Sequence, residues 1–380
     1  MAKGIGGPMG KGDHKKGRRL AFLLNLFDQN PRLRELGLVP MFELKGDDLS
    51  GGWVEELAAK LKPYGGFLTW HWSNGSTKNL GNPIDPVSNK LIEMAKVAKQ
   101  LHQSIGLAAV TIHCAPAASI EPSEDSGLER YNSPIGAKEM LEHIQQQVTP
   151  LVFLNWLTGG ILNIETVDIA NFRDGGHKLP TYLALQTGSW LDLLWLKEQS
   201  GVNITFDSEH FNCAYELLYR TNEMAVLPIY DEVEMTYEEE ELIQIAGYWL
   251  WAGRVPQKWF EGQTQQELMN AFLKKAQPRL FHFGAATQAF NGDGEICTHL
   301  PYDSENKEQM KSLDIILEAM MKSENCLGGV IEVVGQLYVD DPNNPGHNRY
   351  STWSPRQSDD ELAKEETLEL IIKRLLENYN

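Results

Sequence analysis

Six short apolar runs in this 380-residue chain each carry a residue type that binds divalent metals. They are LTWHW with His71, AVTIHC with His113, LNIET with Glu165, ITFDSEH with Asp207 and His210, LFHF with His282, and VIEVV with Glu332. The chain holds 10 histidines, and His71, His113, His210 and His282 stand at or just past such a run. Carboxylate oxygens and imidazole nitrogens converging from several directions are what hard or borderline divalent ions require. Taken singly, each residue has a plainer explanation. A carboxylate inside an apolar run, as at Glu165 or Glu332, is costly unless paired, and a structural ion pair with Lys or Arg would also relieve it. Asp207 precedes Ser-Glu-His and suits a helix N-cap. His71 between two tryptophans, or His282 in LFHF, suits a satisfied core histidine. The ordered set is harder to explain that way, because separate strands would each have to end in a ligand-type residue by coincidence.

Such convergence needs a scaffold in which many strand ends open into one mouth, and the chain alternates strand and helix patterns throughout. Eight strand candidates (AKGIGGPMG, VPMFEL, GFLTWHW, LAAVTIH, GILNIETV, GVNITFD, RLFHFGAA, VIEVVG) are separated by amphipathic segments such as WVEELAAKLKPYGG and SNKLIEMAKVAKQLHQSIG, which end at glycine. The fold class expected is α/β, a (β/α)8 TIM barrel, with active-site residues at the C-terminal strand ends. The glycine-rich first candidate is the least strand-like of the set. A doubly wound open sheet is the alternative, but no GxGxxG or GxxxxGK[ST] follows any strand. Asp207 and His282 stand 75 positions apart, so an insertion is expected between strands 6 and 7, at about 222–262. A polar Pro/Asn-rich loop at about 336–358 and a charged amphipathic helix close the chain. Residues 1–380 are read as one barrel domain.

The net charge of −18 excludes more than it identifies. The first 36 residues are basic, so the rest carries about −23. A strongly acidic body repels phosphate backbones, so no nucleic-acid partner is expected. Small-molecule substrates such as sugars, and cations, are the easier partners; a homo-oligomer is compatible with the sequence. The cysteines (Cys114, Cys213, Cys297, Cys326) show no paired spacing, which fits buried thiols in a reducing compartment. KGDHKKGRR before LAFLLNLF lacks a cleavage site, and the apolar run is short, so it reads as helix rather than leader. No run is long enough to cross a bilayer. A cytoplasmic location without membrane attachment is expected.

In order along the chain, HWSNGSTKNL at His71, IH at His113, NIET at Glu165, D-x-x-H at Asp207–His210, His282, GDGEI at Gly292–Ile296 and IEVV at Glu332 resemble the xylose isomerase-like barrel superfamily, which includes sugar epimerases and endonuclease IV. The resemblance spans about 39–335. In the epimerase branch it implies a divalent ion (Mn2+, Mg2+ or Co2+, less readily Zn2+ or Fe2+) held by Glu165, Asp207, His282 and Glu332. Glu165 and Glu332 would be the catalytic acid/base pair, moving a proton next to a carbonyl through a metal-stabilised enediolate. His71, His113 and His210 would bind substrate hydroxyls or a second metal. The implied activity is isomerase or epimerase on a sugar, polyol or related keto compound. The endonuclease branch implies instead a metal-dependent hydrolase or lyase with a multinuclear site. That branch also uses an Asp-x-His pair after strand 7, where this chain reads AATQAFNG. The epimerase branch usually anchors substrate with an arginine shortly after the strand-7 histidine, and none follows His282. A non-catalytic barrel is the remaining alternative.

Overall fold

In the computed structural model eight parallel strands close into a barrel. The structure describes residues 2–47, 49–72, 80, 87–114, 120–122, 129–131, 145–166, 190–212, 264–285, 300–333, 337–341, 344–351 and 360–379. The strands are β1 (Lys3–Met9), β2 (Leu38–Lys45), β3 (Phe67–His71), β4 (Val110–Ile112), β5 (Leu162–Glu165), β6 (Asn203–Asp207), β7 (Leu280–Phe283) and β8 (Gly328–Ile331). Each expected strand is present, and each pairs with its sequence neighbours. Gly4 beside Gly328 and Val39 closes the ring between β8, β1 and β2. Continuous burial along β2, β5, β7 and β8 matches strands covered on both faces.

Helices cover the outside. The helix Arg18–Gln29 buries Leu20, Leu23, Leu26 and Phe27 at helical spacing, and Lys307–Lys322 does the same with Leu313, Ile316, Leu317 and Met320. Asn306 caps the latter, and Thr264 with Glu267 forms a capping box at the start of Gln265–Ala276. No described helix is long and apolar enough to cross a membrane. The insertion expected at 222–262 lies outside the described residues. The polar stretch at 336–358 needs a correction. It is no plain loop: Leu337–Asp341 pairs antiparallel with Asn344–Ser351. Leu337, Tyr338 and Val339 suit a strand, and Pro342 and Asn343 between the two strands are turn-forming residue types. A second short ribbon, Ile120–Pro122 with Glu129–Tyr131, follows β4.

The glycines that weaken β1 on paper are what let it close the barrel. A Cβ on Gly6 would lie 1.7 Å from the carbonyl oxygen of Met41, and one on Gly328 would lie 1.8 Å from that of Gly4. Both obstacles are backbone, which cannot rotate aside. Gly6→Ala is therefore expected to cost about 3 kcal/mol or more, at or above the upper end of ordinary overpacking. Thermal melting checks this, and a variant as stable as the parent would contradict it.

Inside the barrel the two-residue strand period stacks side chains in layers. Thr69, Thr111, Asn163 and Thr205 are buried, with Thr111 Oγ1 2.9 Å from Thr205 Oγ1 and Asn163 Nδ2 donating to Thr205 Oγ1 at 3.0 Å. Two residues further along the same strands come His71, His113, Glu165 and Asp207. The pattern of apolar runs ending in ligand types is thus the top layer of a filled barrel.

Candidate metal centre

Glu165, the last residue of β5, sits at the middle of this layer and is fully buried. Its Oε2 lies 2.7 Å from His71 Nε2 and 2.9 Å from His113 Nε2, while Oε1 lies 2.7 Å from His282 Nδ1. One carboxylate therefore joins two groups. Glu165, Asp207, His282 and Glu332 each offer a ligand atom, all within 4.8 Å of one another, and His71, His113 and Glu165 form a second such group. The sequence-derived ligand set is brought together in one place.

Asp207 reconciles two readings of its sequence. Its Oδ1 caps the following turn, accepting from the backbone N–H groups of Glu209 at 2.8 Å and His210 at 3.0 Å. Its Oδ2 is buried without a hydrogen bond, with Nδ1 of His210 and of His282 each 3.7 Å away. His210 donates from Nδ1 to the Thr166 carbonyl at 2.8 Å, which leaves Nε2 as its other ring nitrogen. His71 likewise donates from Nδ1 to the Trp72 carbonyl at 2.8 Å, so Nε2 faces Glu165. The rings of His71 and His113 are 5.2 Å apart, and those of His113 and His210 6.0 Å. The Asp-x-His position of the endonuclease branch falls within 286–299, outside the described residues.

The sequence reading passes over two residues of this site. Glu43 and Lys45, on β2, face inward with the others. Glu43 is fully buried, and its Oε1 lies 3.1 Å from His282 Nε2. Lys45 Nζ lies 2.9 Å from Glu43 Oε2 and donates at 2.9 Å to Glu332 Oε1. The signal was available: Glu43 is a carboxylate in the apolar run VPMFEL, as costly as Glu165 in LNIET. Glu209, beside Gly284, is a further fully buried carboxylate at the rim.

The electrostatics follow from this crowding. Burial opposes ionisation of Glu43, but His282 and Lys45 outweigh it and hold the carboxyl at about 2. Burial likewise works against Glu165 and Glu332, yet His282 with His113 and His71 holds the first well below the carboxylate range, and Lys45 with His282 the second. Burial would discharge His282, but Glu43, Glu165 and Glu332 keep its imidazole well above the usual histidine value. Burial dominates at His113, which is pushed down. The centre is a knot of carboxylates that favours positive charge at His282, a proton in the absence of an ion, whose place on Nδ1 a bound cation would take.

A divalent cation fits that description. The donors are three carboxylates and an imidazole, the mixture that Mn2+, Mg2+, Co2+ or Zn2+ accepts. Asp207 Oδ2 is buried with no donor to satisfy it, a costly arrangement that a cation would relieve.

Neither a protein-family model nor a curated protein matches the chain. Among solved structures it aligns with an L-ribulose 3-epimerase at 12% identity and TM-score 0.47, over 100% of this chain and 99% of that one. It aligns with a 3-keto-D-glucoside 4-epimerase from E. coli at 12% and 0.46, over 98% and 100%. SacUVDE aligns at 12% and 0.40, over 98% of each chain. At these values the likeness carries no weight for chemistry, which rests on the side chains described above.

Proposed function

We propose that the protein is a divalent-metal isomerase or epimerase acting on a sugar, polyol or related keto compound, with Glu165 and Glu332 as its acid/base pair. The observation behind this reading is that the two carboxylates reach the same point from separate strands. Glu165 Oε1 lies 2.7 Å and Glu332 Oε2 2.8 Å from His282 Nδ1. β5 and β8 are separated in the barrel by β6 and β7, so the two groups approach that point from different directions. Glu165, Asp207, His282 and Glu332 would hold the ion. When bound, a divalent cation supplies Lewis acidity that polarises a carbonyl and makes the neighbouring C–H more acidic.

The protein's own part is proton transfer. Both glutamates are held ionised, so either begins as a base able to take a proton from carbon. The protonated carboxyl then returns the proton to the adjacent carbon; for delivery to the opposite face its counterpart would first take up a proton from solvent, and the first carboxyl would lose its own to solvent. Lys45, hydrogen-bonded to Glu332, keeps a proton donor beside that second carboxylate. His113 and His210 would bind substrate hydroxyls, while His71, whose two nitrogens face the Trp72 carbonyl and Glu165, would orient that carboxylate. Glu165, Asp207 and His282 are fully buried, which keeps these charges in a lower dielectric than water.

Deuterium exchange tests this reading. Mn2+-treated protein incubated in D2O with a panel of ketopentoses and ketohexoses should exchange the hydrogen next to the carbonyl of at least one sugar, followed by NMR. No exchange across the panel would count against it. One observation favours a second reading, a metal-dependent hydrolase or lyase: His71, His113 and Glu165 make a further ligand group sharing a carboxylate with the first. Under that reading two or more ions bind, and His71 and His113 are ligands.

A further inference from the structure

His282 presents its two nitrogens to different neighbours. Nδ1 points at the ligand group, 2.7 Å from Glu165 Oε1, 2.8 Å from Glu332 Oε2 and 3.7 Å from Asp207 Oδ2. Nε2 points the other way, 3.1 Å from Glu43 Oε1. Both His282 and Glu43 are fully buried. The far oxygen of Glu43 lies 2.9 Å from Lys45 Nζ, which lies 2.9 Å from Glu332 Oε1. The four side chains close a ring: His282, Glu43, Lys45, Glu332, and back to His282.

We infer that Glu43 and Lys45 are the positioning residues of the cation site, an inference that rests on Glu165, Asp207, His282 and Glu332 being its ligands. Glu43 accepts the Nε2–H of His282, which fixes the tautomer whose Nδ1 lone pair faces the ion and orients the ring. A metal-bound imidazole whose other N–H is held by a carboxylate is oriented and made a better donor. Lys45 completes the device in two ways. It holds the second oxygen of Glu43, so that carboxylate cannot swing to the metal as a fifth ligand. It also grips Oε1 of Glu332, leaving Oε2 for the ion. The ammonium offsets the charge of Glu43, so the supporting pair adds rigidity without adding net charge to an already anionic centre. The β2 register makes this work: Glu43 and Lys45 are two residues apart on a strand, hence on the same inner face.

The test is metal affinity, with no turnover involved. Protein stripped with chelator is titrated with Mn2+ by calorimetry, as wild type, Glu43→Gln and Glu43→Asp. Wild type should bind, Glu43→Gln should bind about 10- to 100-fold more weakly, and Glu43→Asp should recover part of the loss. The visible spectrum of saturating Co2+ should shift in Glu43→Gln while far-UV circular dichroism stays that of wild type. Glu43→Gln binding Mn2+ within about twofold of wild type, with an unchanged Co2+ spectrum, would overturn the inference. A wild type that binds no Mn2+ or Co2+ would overturn the cation site itself, and the positioning role with it. Should Glu43→Gln fail to fold, the part-exposed Lys45 carries the test. Lys45→Met should weaken Mn2+ about 10-fold, and wild-type affinity there would refute the role.

Discussion

Replacing Glu165 with glutamine should lower kcat by on the order of 10²–10⁴-fold while leaving the barrel folded. Among the described residues it is the one shared by both ligand groups. Its two oxygens contact His71, His113 and His282 at 2.7, 2.9 and 2.7 Å. Glutamine keeps the shape but removes the negative charge, the basic oxygen and one anionic ligand together. The fold should tolerate the change, because stability comes from the apolar residues outside the strands and the helices covering them. Glu332→Gln should show the same loss of turnover. It should also free Lys45 from one of its two carboxylates. Steady-state kinetics with circular dichroism as control checks both variants, and near-normal turnover in both would remove the acid/base assignment.

Metal removal should have the second largest effect. Glu43, Glu165, Asp207 and Glu332 are carboxyl groups gathered around His282, against which His282 and Lys45 are the nearby cations described. Like charges at such spacing repel strongly in a poorly solvated interior. A divalent ion offsets that repulsion only in the folded state. Mn2+ at about 100 times its Kd should therefore stabilise the protein by about 2.7 kcal/mol, and chelator should reverse it. Differential scanning calorimetry with chelator, Mn2+, Co2+, Mg2+ and Zn2+ reads this as a rise of several degrees in Tm with at least one ion. A transition indifferent to all of them would mean that the carboxylate layer is satisfied by its own histidines and lysine.

Much of this was legible in the sequence because the barrel imposes simple periodicities. A strand buried on both faces reads as an apolar run. An inward residue at its C-terminal end reads as the one polar side chain that the run tolerates. That logic singled out Glu165, Asp207, His282 and Glu332 and the neighbouring histidines as candidates, and these side chains converge in the fold. It failed at β2 for an identifiable reason. Lys45 resembles an ordinary charge ending a strand, which masks the fact that Glu43, two residues earlier, shares its inward face. The ion pair meant to explain away a buried glutamate exists here, but it serves Glu43 and Glu332 within the site. Asp207 shows that cap and ligand are not exclusive, since a carboxylate has two oxygens. The ribbon formed by Leu337–Asp341 and Asn344–Ser351 was hidden because an antiparallel pair need not be covered on both faces and so needs no continuous apolar run. Glycine in β1 looked like an argument against a strand; the closeness of β2 and β8 makes it a requirement.

The central claim is one divalent ion held by Glu165, Asp207, His282 and Glu332 beside two acid/base carboxylates. Elemental analysis of protein purified without chelator tests it most directly. The account predicts about one equivalent per chain of an ion such as Mn2+, Mg2+ or Co2+, since four protein donors make one site. Two or three equivalents of zinc or iron, or no metal at all, would contradict it.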